Sequence, residues 1–325
     1  MVPSSHQFEA LDRERQVHRA DVLFDSNVFR ANDDESEKKL HALANLLIAH
    51  PGQGDFWFSL MSLSELIASS SRERRIELLK RFRNFYLKLR DRVKFMQSLE
   101  ANVRAECTGS KMIPSSSASD VDDDIVKSIV AGDLVGLLKE AHEDWRSEKT
   151  RLRKKYEERC KEYQKHYAEK AEFRSEFAQS IQTYFSTKGL FWCDNLARQI
   201  ITSYGASPSL TLDEVKARPL DYPCIWTFSL LARLAQYAQT ITEDERRKKF
   251  PAFDDVLTPH PNDFIDADIA GTGAHCGMMI TNDRPLIAKL NRLYDANLIW
   301  MQGFTVSDAL VAYIPPNGRA RAASG

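Results

Sequence analysis

Two hydrophobic rhythms alternate along this chain. Near the start, ADVLF is a short apolar run closed by the turn formers Asp25-Ser26-Asn27, which predicts a strand ending in a sharp turn. KKLHALANLLIA (38–49) has helical spacing and is stopped by Pro51-Gly52. DFWFSLMS, bounded by Gly54 and a helix start, predicts a second strand. The other end of the chain repeats the alternation. NDFIDADIAGTGAHC predicts a helix, GMMIT a buried strand, RPLIAKLNRL a helix with Pro near its start, and ANLIWM another strand.

Between these ends the rhythm is helical. Apolar positions at 76, 78, 79, 82, 85, 86, 89, 93 and 96 form one amphipathic stripe. GSKMIPSSSASDVDDD (109–124) interrupts it with the composition of a linker. From about 134 to 185 helix breakers are nearly absent, and Leu138, Ala141, Trp145, Leu152, Tyr156, Tyr163, Tyr167, Phe173, Phe177, Ile181 and Tyr184 make a sparse stripe in a charged background. An unbroken helix of that length would run roughly 75 Å. It needs something to lean on, and the stripe at 76–96 is the nearest antiparallel partner. The stripe drifts off a strict heptad, so packing within the monomer competes with a coiled-coil arm.

The predicted organisation is therefore an α/β fold with a central parallel sheet, interrupted by a large all-helical insertion. Residues 1–70 form its first half, 71–250 the insertion, 251–316 the second half, and 317–325 a disordered tail.

Composition narrows the function classes. The 325 residues are 43% hydrophobic and 28% charged, with 45 Lys and Arg against 46 Asp and Glu. No global basic field advertises nucleic-acid binding, so such binding must come from local patches. The five cysteines lie far apart and form no C-x-x-C pair, which speaks against zinc ribbons and a disulfide framework. No stretch reaches the length of a membrane span and the N-terminus has no apolar signal region, so the expected location is cytoplasmic.

Carboxylates carry the candidate chemistry. In parallel sheets functional groups gather at the carboxyl ends of strands. Here VLF runs into Asp25, WFSLMS into the helix start bearing Glu65, and MMIT into Asp283; Asp266 opens the helix before GMMIT. Acids converging on one point repel one another unless cations sit between them, and hard oxygen donors favour Mg²⁺ or Mn²⁺. Each acid also has an ordinary explanation. Asp25 and Asp283 fit helix N-caps, Ser62-x-x-Glu65 fits a capping box, and Asp266 suits a helix dipole. Asp263 shares a helical face with Asp266 and is expected to join the site, whereas Asp268, about 200° round the helix, is expected to point elsewhere.

These residues resemble the motifs of the PIN-domain nucleases. DVLFDSNVF resembles the first motif, FSLMSLSELI the second, and DADIAGTGAHCGMMITND the third and fourth together. The resemblance covers about the first 70 and last 60 residues. It implies a Rossmann-like sheet and Mg²⁺- or Mn²⁺-dependent hydrolysis of phosphodiesters, RNA more than DNA, leaving 5′-phosphates. Asp25, Glu65, Asp266 and Asp283 would then be both catalytic residues and metal ligands, with Asn27, Thr281 and Asp263 orienting them. Bacterial members include toxins and immune effectors. The insertion departs from the family pattern and leaves the third strand of the sheet unassigned. Two rival readings stay open. Asp266-x-Asp268-x-x-Gly271 resembles the motif of Toprim nucleases, although Pro261, Asn262 and Asp263 stand where a strand should be. An inactive PIN scaffold would instead work through its helical arm.

Basic residues complete the picture. Arg72, Arg74, Arg75, Lys80, Arg81, Arg83, Lys88, Arg90, Arg92, Lys94 and Arg104 outnumber Glu73, Glu77, Asp91 and Glu100, with Phe82, Phe85, Tyr86 and Phe95 interleaved. A nucleic-acid interface through Arg81, Arg83, Lys88 and Arg90 is balanced against a solvated helix face over core aromatics. RRKK (246–249) is a smaller basic run. Gly271-Thr272-Gly273 falls inside a helix and is not a nucleotide loop. His260 and His275 belong to no motif and read as structural. The insertion is the candidate surface for a homodimer or a protein partner.

Overall fold

The computed structural model describes residues 21–30, 34–49, 54–68, 71–89, 92–96, 98–108, 115–117, 201–202, 210–296 and 298–313, with scattered positions between 131 and 165. In chain order, β1 (Val22–Phe24) and a 3-10 turn (Ser26–Phe29) lead into α1 (Asp34–Ala49). Then come β2 (Phe56–Ser59), α2 (Leu60–Ile67), α3 (Arg72–Leu89), β3 (Val93–Met96), α4 (Leu99–Cys107) and β4 (Ser115–Ser117). Further along the chain follow α5 (Leu212–Ala217), α6 (Pro223–Thr240), α7 (Glu243–Lys249), α8 (Asp254–Leu257), α9 (Asp263–Thr272), β5 (Met278–Ile280), α10 (Arg284–Asp295), β6 (Gln302–Phe304) and α11 (Val306–Tyr313).

The strands form one sheet in the order β4-β3-β2-β1-β5-β6. Five strands are parallel and β4 alone runs antiparallel, along β3 at the edge. The chain winds outward from β1 through β2 to β3, then returns to place β5 on the other side of β1. The winding direction therefore reverses between β1 and β5, the place in open α/β sheets where ligands bind beyond the strand ends.

Helices cover both faces, so successive strand residues are buried on opposite sides. Val22, Phe24, Phe56, Phe58, Val93 and Phe95 face α1, α2, α3 and α11. Leu23, Trp57, Met96 and Met279 face α4, α6, α8, α9 and α10. On the first side, α3 turns Leu78, Leu79, Phe82, Phe85, Tyr86 and Leu89 inward. Phe82 meets Phe58 edge-on with ring centroids 5.0 Å apart, and Phe85 meets Phe24 at 5.0 Å. Each such ring removes apolar area worth roughly 1.5–3 kcal/mol. On the second side, α6 lies against α9 closely enough that a Cβ on Gly271 would stand 2.7 Å from the Phe228 Cβ. The Gly-Thr-Gly run is thus a helix crossing.

Several expectations are corrected. The stripe at 76–96 is not one helix. It is helical to Leu89 and then supplies β3, the strand that the expected all-helical stretch 71–250 left unassigned. That stripe packs on the sheet. The expected linker contributes β4. The last strand falls at Gln302–Phe304, after the buried Leu298, Ile299, Trp300 and Met301 and not within ANLIWM. Every described residue between 131 and 165 is helical, as the pattern there predicts; 166–185 and the tail 317–325 lie outside the described residues. Among the described residues no helix is long and apolar enough to cross a membrane.

Candidate functional site

Asp25 leaves β1 at the reversal point, with its backbone N–H donating to the Ile280 carbonyl of β5 (3.0 Å). Its residue is only 2% exposed and makes no side-chain cap to the turn that follows, so the N-cap explanation fails. One carboxylate oxygen, Oδ2, accepts the Thr281 hydroxyl at 2.8 Å. The other, Oδ1, is buried with no hydrogen-bond partner among the described residues. Burial pushes this carboxyl up to about 6 and the nearby Glu65 charge adds to the rise, while the Thr281 hydroxyl, the Arg30 charge and the Ser26 backbone oppose it.

Glu65 projects from α2, whose N-cap is Ser59: its hydroxyl accepts Ser62 N–H at 2.9 Å. Ser62 therefore caps nothing, and the capping-box explanation of Glu65 is excluded. Glu65 accepts the Ser26 hydroxyl on Oε2 (2.9 Å) and the Lys149 ammonium on Oε1 (2.7 Å), with Arg30 3.7 Å from Oε2. Burial pushes its carboxyl up, but Lys149 and Arg30 outweigh burial and hold it below the ordinary value. Lys149 comes from the helical insertion, and Arg153, one turn on, reaches the Asn262 side chain.

Asp266 stands in the first turn of α9, buried. Burial drives its carboxyl well above the ordinary range, and Asp25, Asp283, Glu65 and Asp263 push the same way. The four expected acids thus lie within one electrostatic neighbourhood. Asp283 does two things: Oδ1 caps α10 by accepting Leu286 N–H at 3.0 Å, and Oδ2 lies 4.0 Å from His260 Nδ1. The same His260 nitrogen is 3.8 Å from Asp266 Oδ2.

The predicted supporting residues form a network. Thr281 donates its hydroxyl to Asp25 and accepts Asn27 Nδ2–H (2.8 Å) and Asp283 N–H (3.1 Å). Asn27 Oδ1 accepts Asn282 N–H at 2.7 Å, tying the end of β1 to the end of β5. Asp263 is paired with the buried Lys289 and accepts His260 N–H at 2.9 Å, so it fastens the loop before α9. Asp268 turns away, as expected: its carboxyl is hydrogen-bonded to Thr272, and burial pushes it up to about 6.

The proposed basic interface is mostly engaged elsewhere. Arg81 pairs with Glu77 at 2.6 Å and donates to the Phe29 carbonyl, Lys88 contacts His41 Nδ1 at 3.1 Å, and Arg83 is half-buried. Arg90 lies outside the described residues. Arg74 and Arg92 likewise donate to the carbonyls of Arg30, Leu47 and Gly54. These arginines stitch α3 and β3 to their neighbours. In the RRKK run, Arg246 pairs with Asp254 at 2.5 Å and the others pair with acids one turn earlier on α7.

Sequence reasoning missed His260 and Lys149. The first carried a faint signal, since Pro259 and Pro261 restrict the backbone on both sides of a residue just before the acidic helix. Lys149 carried none, being 84 positions from its partner. Comparison of the chain with protein-family models, curated proteins and solved structures finds no match in any of the three.

Proposed function

We propose that this protein is a metal-dependent nuclease that hydrolyses phosphodiester bonds, with Asp25, Glu65, Asp266 and Asp283 holding Mg²⁺ or Mn²⁺. The observation that carries this reading is a buried site in which carboxylates crowd one another while the close cations, Lys149 and Arg30, sit on Glu65. Among the described residues Asp25 Oδ1 has no hydrogen-bond partner although the residue is almost fully buried, and Asp25, Asp283, Glu65 and Asp263 all raise the Asp266 carboxyl. Leaving an acceptor of this kind unsatisfied costs about 1–3 kcal/mol, more when charged. A divalent cation relieves that cost, and an all-oxygen donor set fits Mg²⁺ or Mn²⁺.

The chemistry such ions supply is a water activated near neutral pH and a counter-charge for the leaving oxygen. The chain's own part is preorganisation. Thr281 and Asn27 fix the Asp25 carboxylate and the end of β5. Ser26 orients Glu65 from below, and Lys149 and Arg30 offset its charge. Arg30, Lys149 and Arg153 stand beside the acids and offer cations to a phosphate that the carboxylates would repel.

The motif resemblance favours RNA over DNA as substrate. The test is cleavage of labelled single-stranded RNA and DNA by wild type and Asp25→Asn, with Mn²⁺ or with EDTA. Cleavage that requires the ion and is lost in the variant is the expected result. Activity indifferent to both overturns the metal site. No cleavage of any substrate by a protein that still binds the ion favours the scaffold alternative.

A further inference from the structure

We propose that His260 is a nitrogen ligand of the cation held by Asp266 and Asp283, and that it biases this position towards Mn²⁺ over Mg²⁺. The inference rests on the metal-site reading above. His260, Asp266 and Asp283 offer ligand atoms that all lie within 4.8 Å of one another. Adjacent donors about 2.1 Å from a common ion stand roughly 3.0–3.5 Å apart. The observed separations of 3.8 and 4.0 Å from His260 Nδ1 to the two carboxylates need only a small contraction around an ion.

The loop fixes the backbone of His260. Asp263 accepts His260 N–H at 2.9 Å, its own N–H donates to the His260 carbonyl at 3.1 Å, and its other oxygen is held by Lys289. Asn262 N–H makes a long contact of 3.4 Å to His260 Nδ1, which a metal bond would replace. Asp25, near enough to raise the Asp266 carboxyl, is buried with its Oδ1 unpartnered among the described residues, which independently marks the neighbourhood as short of a cation.

Chemistry then sets the preference. Mg²⁺ takes oxygen ligands at near-ideal octahedral geometry and sheds water reluctantly, whereas imidazole suits transition-metal ions. Mn²⁺ accepts the mixed set of one imidazole and several carboxylates. A histidine acting only as a cationic partner of Asp266 would behave oppositely: its removal would strengthen binding of every divalent cation.

The experiment is Mn²⁺ and Mg²⁺ titration of the full chain by calorimetry for wild type, His260→Ala, His260→Gln and Asp266→Asn. Electron spin-echo spectroscopy of the Mn²⁺-loaded protein accompanies it, and thermal unfolding checks that each variant is folded. The expected result is a Mn²⁺ affinity about tenfold weaker in both His260 variants, with Mg²⁺ changed by less than about threefold. Nitrogen modulation from a coordinated imidazole should be present in wild type and absent in the variants. Unchanged Mn²⁺ affinity, tighter binding of both ions, or no nitrogen modulation in wild type overturns the assignment alone. Wild type that binds no Mn²⁺, or binds it regardless of Asp266→Asn, overturns the underlying metal site as well.

Discussion

Two buried carboxylate clusters lie on this sheet, and their contrast is instructive. Glu106, at the end of α4, is buried and accepts the backbone N–H groups of Cys224 (2.7 Å) and Ile225 (3.0 Å), with His275 Nε2 3.3 Å away. Its charge sits on the N-terminus of α6, an 18-residue helix whose exposed donors and dipole suit an anion. Cys224 completes a Glu-Cys-His grouping, but burial holds its thiol well above the ordinary value, in its protonated form. This cluster is a clasp between α4, α6 and the end of α9. In the Asp25 cluster compensation is uneven: Lys149 and Arg30 offset Glu65, while Asp266 is raised by the acids around it and Asp25 Oδ1 has no hydrogen-bond partner among the described residues. Identical chemistry in the sequence therefore serves stability in one place, where donors saturate it, and points to cation binding in the other, where they do not.

The sharpest way to break this contrast is to remove one carboxylate from each cluster. Asp266→Asn should lower cleavage on the order of a thousandfold, equivalent to about 4 kcal/mol of transition-state stabilisation. It should also leave the metal-free melting temperature unchanged or raised, because a buried charge short of partners has been neutralised. Glu106→Ala should do the reverse. It orphans two buried N–H groups and should destabilise the fold by about 3–5 kcal/mol, lowering Tm by roughly 5 °C. Calorimetric melting of both variants without metal tests the pair. A large loss of stability in Asp266→Asn would mean that its carboxylate is structurally satisfied after all.

Adding the ion should reverse the order of stabilities. At about a hundredfold excess over Kd, Mn²⁺ should raise the stability of wild type by about 2.7 kcal/mol. It should do nothing of that size for Asp25→Asn or Asp266→Asn, while folded variants outside the site respond like wild type. Melting curves with and without the ion decide this.

Acidity separates groups within the cation-seeking cluster itself. Asp25 rises from 3.8 to about 6 on folding, and Asp266 moves in the same direction. A raised carboxyl favours the folded state when protonated. Its contribution is present below about pH 4 and is lost as pH rises through about 6. Glu65 is lowered, so its contribution is present above its unfolded value and is lost as pH falls through its folded one. The metal-free protein should accordingly be more stable near pH 5 than near pH 7.5, by on the order of 1–3 kcal/mol, and Asp25→Asn should shrink the difference. Mn²⁺ should help more at the higher pH, where fewer protons compete. Denaturant titrations at the two pH values measure both effects. A metal-free optimum near pH 7.5 that Asp25→Asn leaves in place would contradict the burial argument.

The ends of the fold were legible in sequence because their strands are short apolar runs broken by turn formers; Asp25 and Asp283 follow from where those strands stop, and Asp266 from where the helix before β5 starts. β3 was not legible. VKFM continues the helical spacing of the stripe before it, and Arg90-Asp91 offers no Gly or Pro to mark the break. The packing of the basic residues was not legible for a related reason: sequence shows charge but not that Arg74 and Arg81 of α3, and Arg92 before β3, donate to carbonyls. Glu65 was ambiguous until Ser59 proved to be the cap. His260 and Lys149 depend on tertiary approach, which spacing alone does not encode.

The smallest expected effect concerns Lys149, which supplies to Glu65 the compensation that the helix N-terminus supplies to Glu106. The two compensations differ in kind. Backbone donors at the start of α6 are fixed, whereas the Lys149 ammonium rides on a side chain 21% exposed at the site edge. An ion entering beside Glu65 must compete with that charge. Lys149→Met should therefore tighten Mn²⁺ binding by about fivefold, close to the 1 kcal/mol upper range for a partly exposed pair. Arg81→Met, which removes a cation engaged between α3 and α1, should leave Mn²⁺ affinity unchanged. Calorimetric titration of both variants makes the comparison. If Lys149→Met binds Mn²⁺ no better than wild type, or if Arg81→Met shifts the affinity as much, Lys149 is one more stitch of the fold and not a counter-charge for the acidic site.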